Sequence, residues 1–476
     1  MSAASRPGAG AGGGGGPVRA VTGGTVVTPD GEVRADVLIS DGRITALVPP
    51  GGAAGGTGPG AGRTVDAAGC YVLPGGVDPH CHLMPDIPRA TAAAARGGTT
   101  TVLSFTSPED GEGDLAAMLR SRAEVAAARP VTDTGLHAMI YSPDRTPATD
   151  LPAIRAAGAG AIKIFMAYPE LGIMCSVQRL HGLLAGARQA GLMTSVHCEN
   201  GPLIESLTEA AVRAGRRGAG VFAATRPPEA EEESVSAALT AAALAGAPCY
   251  LVHLSTAGAL DQIRLARDRA GTGHRPQPPV FAEVCPHHLL FSESRYAGQD
   301  AGRFLVCPPL RPAADVAALW AGLADGTVDA VGSDHCQHRS QVQDDIVPAG
   351  QTYRYGLAGI GARLPLLLAE GRARGLSMTR LAELAAAGPA RAFGHYPRKG
   401  AVRPGSDADL TMWDPAGQTV LGADGFGDGT GDSVYAGRTV RGRITTVLLG
   451  GRVIADGGEL AGGPAGRYLP AGNPPR

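Results

Sequence analysis

The chain has 476 residues, of which 44% are hydrophobic and 18% are charged, and its formal net charge at pH 7 is -2. These values describe a globular protein with a large core, organised as one large barrel or as two to three domains. Because no basic block is present, neither nucleic acid nor an anionic membrane is expected as a partner. The eight scattered cysteines form no C-x-x-C pair, which favours reduced thiols and a cytoplasmic location.

Both ends of the chain carry antiparallel β patterns. Residues 18–73 contain short Val/Ile strands separated by P-D-G and S-D-G turns, and residues 396–460 show the same hairpin chemistry. We therefore predict a small β-sandwich domain built from both ends of the chain. Residues 1–17, rich in Gly and Ala, are predicted to be a disordered tail without a signal peptide, and residues 461–476 a second tail.

The middle of the chain, residues 74–395, alternates strand and helix patterns. The first strand leads into the stretch DPHCH, and further strands are predicted at residues 99–106, 134–142, 161–168, 193–200, 249–255, 280–285 and 328–335. Helical patterns lie between most of them, for example at residues 176–190, 229–245 and 257–269. Eight such strands with crossover helices favour an α/β fold of the (β/α)₈ TIM-like barrel type over a doubly wound sheet.

Residues that can bind a metal ion fall near the ends of separate predicted strands. They are His80 and His82 on the first strand, His197 on the fifth, His253 on the sixth and Asp334 on the eighth. The C-terminal ends of barrel strands meet at one mouth, so these side chains are expected to converge there. Imidazole and carboxylate ligands without thiolates suit Zn²⁺ or a similar divalent ion. Any one of these histidines alone would be interpreted as an ordinary core or surface residue.

Lys163, on the fourth predicted strand, is one of only two lysines in the chain. Burial beside metal ions would lower the pKa of its ammonium group toward the neutral amine. A neutral amine can react with CO₂ to form a carbamate, whose oxygens can bridge two metal ions, and arginine cannot do this chemistry. The alternative is a buried structural lysine with a carboxylate partner. The other lysine, Lys399, is expected to be a structural loop residue.

Ten motifs together resemble the amidohydrolase superfamily, in its branch of hydantoinases and dihydropyrimidinases. They are GGVDPHCH, RGGTTTV, IKIFMAY, VHCENG, TRPPEAE, YLVHLS, CPPLR, GSDHC, RLPLL and YPRKGAVRPGSDADLTMWDP. The resemblance runs from about residue 18 to about residue 460. It implies a hydrolase that acts on the C–N bonds of cyclic amides, with two Zn²⁺ per chain and a homodimeric or homotetrameric assembly.

The resemblance also implies a role for each candidate metal ligand. The more buried ion would be bound by His80, His82 and Asp334, the more exposed ion by His197 and His253, and both would be bridged by Lys163 as N6-carboxylysine. Two cations would lower the pKa of a bridging water enough to form hydroxide near neutral pH. That hydroxide would attack the carbonyl carbon of the ring.

Four residues are candidates for catalysis or substrate binding by the same resemblance. Asp334 would accept the proton of the attacking water and pass it to the leaving nitrogen, or would serve as a metal ligand only. Tyr168 would donate a hydrogen bond to the developing oxyanion, or would only pack at the mouth. Cys307 and Ala349 fall where hydantoinases usually carry Ser and Asn, which contact the substrate mainly through their backbone.

The sequence departs from this family beside the predicted pocket. The segment after His82 is visibly shorter than the hydantoinase loop that forms a lid, which predicts a wider mouth or one closed by a neighbouring subunit. His288 stands where the family usually has Tyr. The alternative function is therefore an allantoinase or another cyclic-imide or cyclic-amide amidohydrolase. A non-catalytic tetrameric scaffold is a remote alternative, because such a protein is expected to lack at least one of the six ligands.

Overall fold

The computed structural model describes residues 16–53, 62–83, 86–107, 113–272, 278–336, 356–422 and 433–475. The tail predicted for residues 1–17 lies outside the described residues except for its last two positions, and Ala349 also lies outside them. Within these ranges, the helices all lack the combination of length and apolar composition that a bilayer crossing requires.

The N-terminal part of the chain forms short strands. They are β1 (Val18–Thr22), β2 (Thr25–Thr28), β3 (Gly31–Arg34), β4 (Asp36–Ser40), β5 (Arg43–Val48), β6 (Arg63–Asp66) and β7 (Tyr71–Pro74). Strands β5, β4, β1 and β6 form one sheet in that order. Their Val and Ile side chains pack into a separate apolar cluster together with residues from the C-terminal part of the chain.

The central sheet consists of parallel strands that follow one another in chain order. They are β8 (Gly76–His82), β9 (Thr99–Thr106), β10 (Asp133–Met139), β11 (Ala159–Phe165), β12 (Met193–His197), β13 (Cys249–Leu251), β14 (Val280–Val284), β15 (Ala330–Val331) and β16 (His335–Cys336). Strand β15 pairs with β14, and β16 pairs with β8. Since β15 and β16 belong to one continuous segment, that segment closes the sheet into a barrel. The predicted (β/α)₈ barrel is confirmed, with its eighth strand divided into two short pieces.

Strands from the C-terminal part of the chain complete the smaller domain. They are β17 (Leu410–Val420), β18 (Thr439–Leu449), β19 (Arg452–Asp456) and β20 (Glu459–Leu460). The sheet order among the described residues is β20-β19-β18-β17-β7-β2-β3, and β17 pairs antiparallel with β7. One sheet therefore contains strands from both ends of the chain, which confirms the predicted composite domain.

Helices cover the outside of the barrel. They are α1 (Ile87–Arg96), α2 (Leu115–Ala128), α3 (Leu151–Ala156), α4 (Val177–Ala190), α5 (Gly201–Arg213), α6 (Ala219–Ala224), α7 (Pro228–Ala245), α8 (Ala257–Thr272), α9 (Pro286–Leu290), α10 (Ala313–Asp325), α11 (Arg363–Ala373), α12 (Met378–Ala382) and α13 (Gly388–Ala392). Short 3-10 turns lie at Ala148–Asp150, Pro169–Leu171, Glu293–Ala297 and Ala301–Phe304, and a π-helical turn lies at Glu383–Ala387. Leu and Ala side chains of these helices pack against the outward-facing residues of the strands.

Strand β11 illustrates how the barrel is packed on both of its faces. All seven of its residues are buried. Ile162 and Ile164 belong to the large apolar cluster shared with the surrounding helices, whereas Ala161 belongs to an inner cluster with Met193 and Tyr250 of neighbouring strands. Side chains alternate between the two faces of a strand. Lys163 therefore points to the inside of the barrel.

Lys399 joins the barrel to the smaller domain. It is 2% exposed, and its Nζ lies 2.6 Å from a carboxylate oxygen of Asp133, 2.6 Å from one of Asp409 and 3.1 Å from one of Asp407. Asp133 belongs to β10, whereas Asp407 and Asp409 precede β17. Asp133 also accepts a hydrogen bond from the backbone N–H of Arg467, at 3.0 Å. This lysine is structural, as expected, and it holds three buried carboxylates at the contact between the two domains.

The C-terminal segment after residue 460 packs under the barrel. The backbone N–H of Thr134 donates to the carbonyl of Arg467, and the N–H of Leu469 donates to the carbonyl of Thr134, both at 2.9 Å. Leu469 lies in the inner cluster together with Leu103 and Phe393. The part of the predicted tail that the structure describes therefore contributes to the core of the barrel.

Candidate metal and active site

Lys163 lies inside the barrel beside His80. Its side chain is buried, and its Nζ is 2.8 Å from Nε2 of His80. The ring of Phe105 is also close, with 4.8 Å between Nζ and the ring centroid. Burial lowers the pKa of Lys163 from its ordinary value, although Asp334 and Glu283 act in the opposite direction. The amine is therefore easier to deprotonate than a lysine on the surface.

His80, His82 and Asp334 form the first group of candidate ligands. Oδ1 of Asp334 is 3.1 Å from Nε2 of His80 and 3.6 Å from Nε2 of His82. The backbone N–H of Asp334 donates to the carbonyl of His80 at 2.9 Å. This hydrogen bond joins the segment between β15 and β16 to strand β8. Burial alone would raise the pKa of Asp334, but His80 and His82 hold it well below its usual value. The carboxylate is therefore ionised and able to bind a cation.

His197 and His253 form the second group. Nδ1 of His197 is 3.0 Å from Nε2 of His253, and Nε2 of His197 is 2.8 Å from Oε2 of Glu199. Burial lowers the pKa of His197 and lowers that of His253 well below its usual value. Both rings are therefore neutral, which is the form in which imidazole binds a metal. The two groups are adjacent, because the rings of His80 and His253 are 5.4 Å apart between centroids.

The hydrogen-bond partners of these rings determine which nitrogens carry lone pairs. Nδ1 of His80 is 2.7 Å from Oε1 of Glu283 and donates to it, so Nε2 is the nitrogen of this ring that faces Asp334 and Lys163. In the same way Glu199 accepts from Nε2 of His197, so Nδ1 presents its lone pair to His253. Carboxylates commonly orient metal-binding histidines in this manner. Imidazole nitrogens and a carboxylate oxygen therefore face one another at about 3 Å in a buried space, and this set of donor atoms fits divalent metal ions.

The backbone is strained at three of the candidate residues. Among the described residues, four that are not glycine have positive φ, and three of these are Tyr168 (64°), His253 (38°) and Asp334 (46°). Side chains other than glycine rarely adopt this conformation, and it persists where the surrounding fold enforces it. Such strain clusters at functional sites.

Tyr168 and Cys307 lie together on the side of the second ligand group. The Tyr168 ring is 5.0 Å from the His197 ring between centroids, and Tyr168 packs against the apolar cluster that includes Cys307. Burial raises the pKa of Tyr168 well above its usual value and raises that of Cys307 to about 12. The phenol therefore keeps its proton and can donate it in a hydrogen bond. The positive charge of Arg226 acts against burial and lowers the pKa of the Cys307 thiol.

The structure brings together every predicted site residue that it describes. The residues are His80, His82, Lys163, Tyr168, His197, His253, Cys307 and Asp334, whereas Ala349 lies outside the described residues. Strand β8 ends at His82 and α1 begins at Ile87, so the segment between them is short. His288 is buried, and its Nε2 donates to the carbonyl of Pro308 at 2.9 Å. It thus contacts the loop that carries Cys307.

Two buried acids of the site were missed by the sequence analysis. Glu199 and Glu283 are both 1% exposed or less, and each accepts a hydrogen bond from a candidate ligand. Glu199 could have been noticed because it follows His197 by two residues. Glu283 could have been noticed as an acid inside the apolar strand VFAEV. Neither sequence feature indicates which side chain Glu199 or Glu283 contacts.

Comparison with known proteins identifies similar sequences and folds. Residues 71–454 match the Amidohydrolase family. The D-hydantoinase of Ralstonia pickettii is 34% identical over 466 residues, which cover 94% of this chain and 97% of that protein. A solved D-hydantoinase structure superposes with a TM-score of 0.86 at 32% identity, covering 96% of this chain and 99% of the other. The dihydropyrimidinase of Brevibacillus agri gives a TM-score of 0.84 at 30% identity, with coverage of 96% and 99%.

Proposed function

Because this chain belongs to the amidohydrolase family, and within it to the hydantoinases and dihydropyrimidinases, we propose that it is a zinc-dependent hydrolase of cyclic amides. The reaction opens the ring by breaking a C–N bond with water. The observation that carries this proposal is the convergence of buried imidazole and carboxylate side chains, those of His80, His197 and Asp334 among them, beside Lys163. This arrangement supports a metal site, and the family supports a cyclic amide as the substrate.

Each metal ion would have its own set of side chains. His80, His82 and Asp334 would bind one ion, and His197 and His253 the other. Lys163, carboxylated on Nζ, would help to hold both ions. When bound, the two cations would polarise the substrate carbonyl and lower the pKa of a water between them to near neutrality, which supplies a hydroxide nucleophile.

Asp334 and Tyr168 would act directly on the reacting atoms. The ionised Asp334 carboxylate would accept the proton of the attacking water and then deliver it to the ring nitrogen as the C–N bond breaks. The Tyr168 hydroxyl, which keeps its proton because burial raises its pKa, would donate a hydrogen bond to the carbonyl oxygen as negative charge develops there. The backbone at Cys307 and Ala349 would hold the amide of the ring.

Tyr168→Phe is expected to lower kcat by about 10²–10³-fold, the cost of removing one hydrogen-bond donor to an oxyanion. Zinc content is expected to stay unchanged, because the phenol is not a proposed ligand. Tyr141→Phe is a matched control, since the Tyr141 and Tyr168 rings lie 6.0 and 5.9 Å from the ring of Phe165. Steady-state kinetics would be measured for both variants. A kcat of Tyr168→Phe equal to that of the unmodified protein would refute the role of Tyr168.

A substrate panel tests the proposed function. Hydantoin, dihydrouracil, allantoin, dihydroorotate and cyclic imides would be assayed with the protein purified in the presence of zinc and bicarbonate. Turnover of hydantoin or dihydrouracil, lost on chelation of the metal, is the expected result. Preferential turnover of allantoin would instead select the allantoinase alternative. A protein with its full complement of zinc and no turnover of any cyclic amide would overturn the proposal.

We also propose that the chain assembles as a homodimer or homotetramer. Only a short segment of chain separates the end of β8 at His82 from the start of α1 at Ile87, and we expect a neighbouring subunit to close the mouth of the barrel. Light scattering coupled to gel filtration would measure the mass of the assembly, and a monomer at the concentration of the activity assay would contradict this proposal.

A further inference from the structure

We propose that Glu283 is a positioning residue shared by both halves of the metal site, a role that rests on the proposed two-metal function. Strand β14 contributes no predicted ligand, yet Glu283 points from it into the barrel and is fully buried. Its single carboxylate would fix the ring of His80 in one group of ligands and the backbone of His253 in the other.

The Glu283 carboxylate contacts three residues, one on β8 and two on or just after β13. Oε1 accepts a hydrogen bond from Nδ1 of His80 at 2.7 Å and another from the backbone N–H of His253 at 3.0 Å. Oε2 accepts from the hydroxyl of Tyr250 at 2.8 Å. Both oxygens are therefore held by donors, and the orientation of the carboxylate is fixed without participation of a metal.

Each contact of Oε1 has a separate consequence for metal binding. At His80 it selects the tautomer that leaves Nε2 free to bind an ion, and a carboxylate partner makes that nitrogen a better donor. At His253 it holds the backbone of a residue with a φ of 38°, a conformation that needs external support. Because the same oxygen serves both residues, its displacement would disturb both metal ions together.

Because Gly332 has no side chain, the Glu283 carboxylate can occupy the space next to it. A Cβ added at Gly332 would lie 2.7 Å from Cδ of Glu283 and 2.7 Å from Oε2, which is closer than real contacts allow. Gly332→Ala would therefore push the carboxylate out of place without changing its charge. This gives a second, independent way to test the role of Glu283.

The test measures metal affinity rather than catalysis. Apoprotein would be titrated with Zn²⁺ against a competing chelator, for the unmodified chain and for Glu283→Gln, Gly332→Ala and Tyr250→Phe. Glu283→Gln is expected to bind zinc about 10–100-fold more weakly, the usual cost of removing a carboxylate behind a ligand, and Gly332→Ala is expected to change the affinity in the same direction. Tyr250→Phe removes a contact of Oε2 only, so its zinc affinity is expected to stay within about threefold of the unmodified value.

The titration of the unmodified chain separates two kinds of failure. If that chain itself bound fewer than two zinc ions, the proposed two-metal function would fail. If the unmodified chain bound two ions, and Glu283→Gln or Gly332→Ala bound both ions as tightly as the unmodified chain does, only the role of Glu283 would be refuted. Weakening of one ion alone would also refute the shared role, since the carboxylate contacts both groups of ligands. A Co²⁺ absorption spectrum of each folded variant would report whether the surviving site keeps its coordination.

Discussion

Lys163→Ala is expected to lose both metal ions and to lower kcat/KM by about 10³-fold or more, because the proposed carbamate bridge and its charge disappear together. Lys163 is buried beside His80, and its Nζ lies 2.8 Å from the nitrogen proposed to bind zinc. Burial lowers its pKa, which favours the neutral amine that reacts with CO₂. Zinc would be measured by mass spectrometry and activity by ring-opening assays.

Chemical rescue distinguishes a carbamate from a structural lysine. A short carboxylic acid added to Lys163→Ala can occupy the space that the side chain leaves, and it is expected to restore part of the zinc content and activity. Lys163→Arg is the matched control, because it keeps a cation but cannot form a carbamate, and the acid is expected to have no effect on it. Full zinc content in Lys163→Ala without any acid would contradict the bridging role.

Lys399→Met is expected to reduce the free energy of unfolding by about 3–5 kcal/mol, the typical cost of leaving buried charges without their partner. The lysine Nζ lies within 3.1 Å of three buried carboxylates, those of Asp133, Asp407 and Asp409. Methionine has a similar length but cannot compensate their charge. Urea denaturation followed by circular dichroism would measure the loss.

Two further variants serve as controls for the stability loss in Lys399→Met. Lys399→Arg is expected to be less damaging than Lys399→Met, because charge is kept, although the wider guanidinium fits three converging carboxylates less well. Arg213→Ala removes a cation from an exposed ion pair with Glu209 and is expected to cost about 0–1 kcal/mol. An unfolding midpoint of Lys399→Met equal to that of Arg213→Ala would show that the carboxylates are compensated by other groups.

The fold was largely predictable because its signals are local. The predicted strand at residues 99–106 coincides with β9, and the predicted helix at residues 176–190 is α4 within one residue. Parallel strands buried on both faces appear as continuous apolar runs, so a lysine inside one of them is conspicuous. The eighth strand was less predictable, because pairing with two different neighbours divides it into β15 and β16.

The remaining features depend on contacts between residues far apart in the sequence. Glu283 and His80 are separated by 203 positions, and only the closed barrel places the carboxylate next to the ring. In the same way, Leu469 lies in a segment rich in Gly and Pro, and its burial under the barrel depends on pairing with Thr134. Composition and periodicity carry no information about such pairs.

The central claim is that a carboxylated Lys163 holds two metal ions between the two groups of ligands. Crystals of the zinc-loaded protein grown with bicarbonate, measured above the zinc absorption edge, test it most directly. The expected result is two anomalous peaks about 3.5–4 Å apart, with density for a carboxylate on Nζ of Lys163 reaching both. A single peak, or an unmodified amine with zinc bound elsewhere, would contradict it.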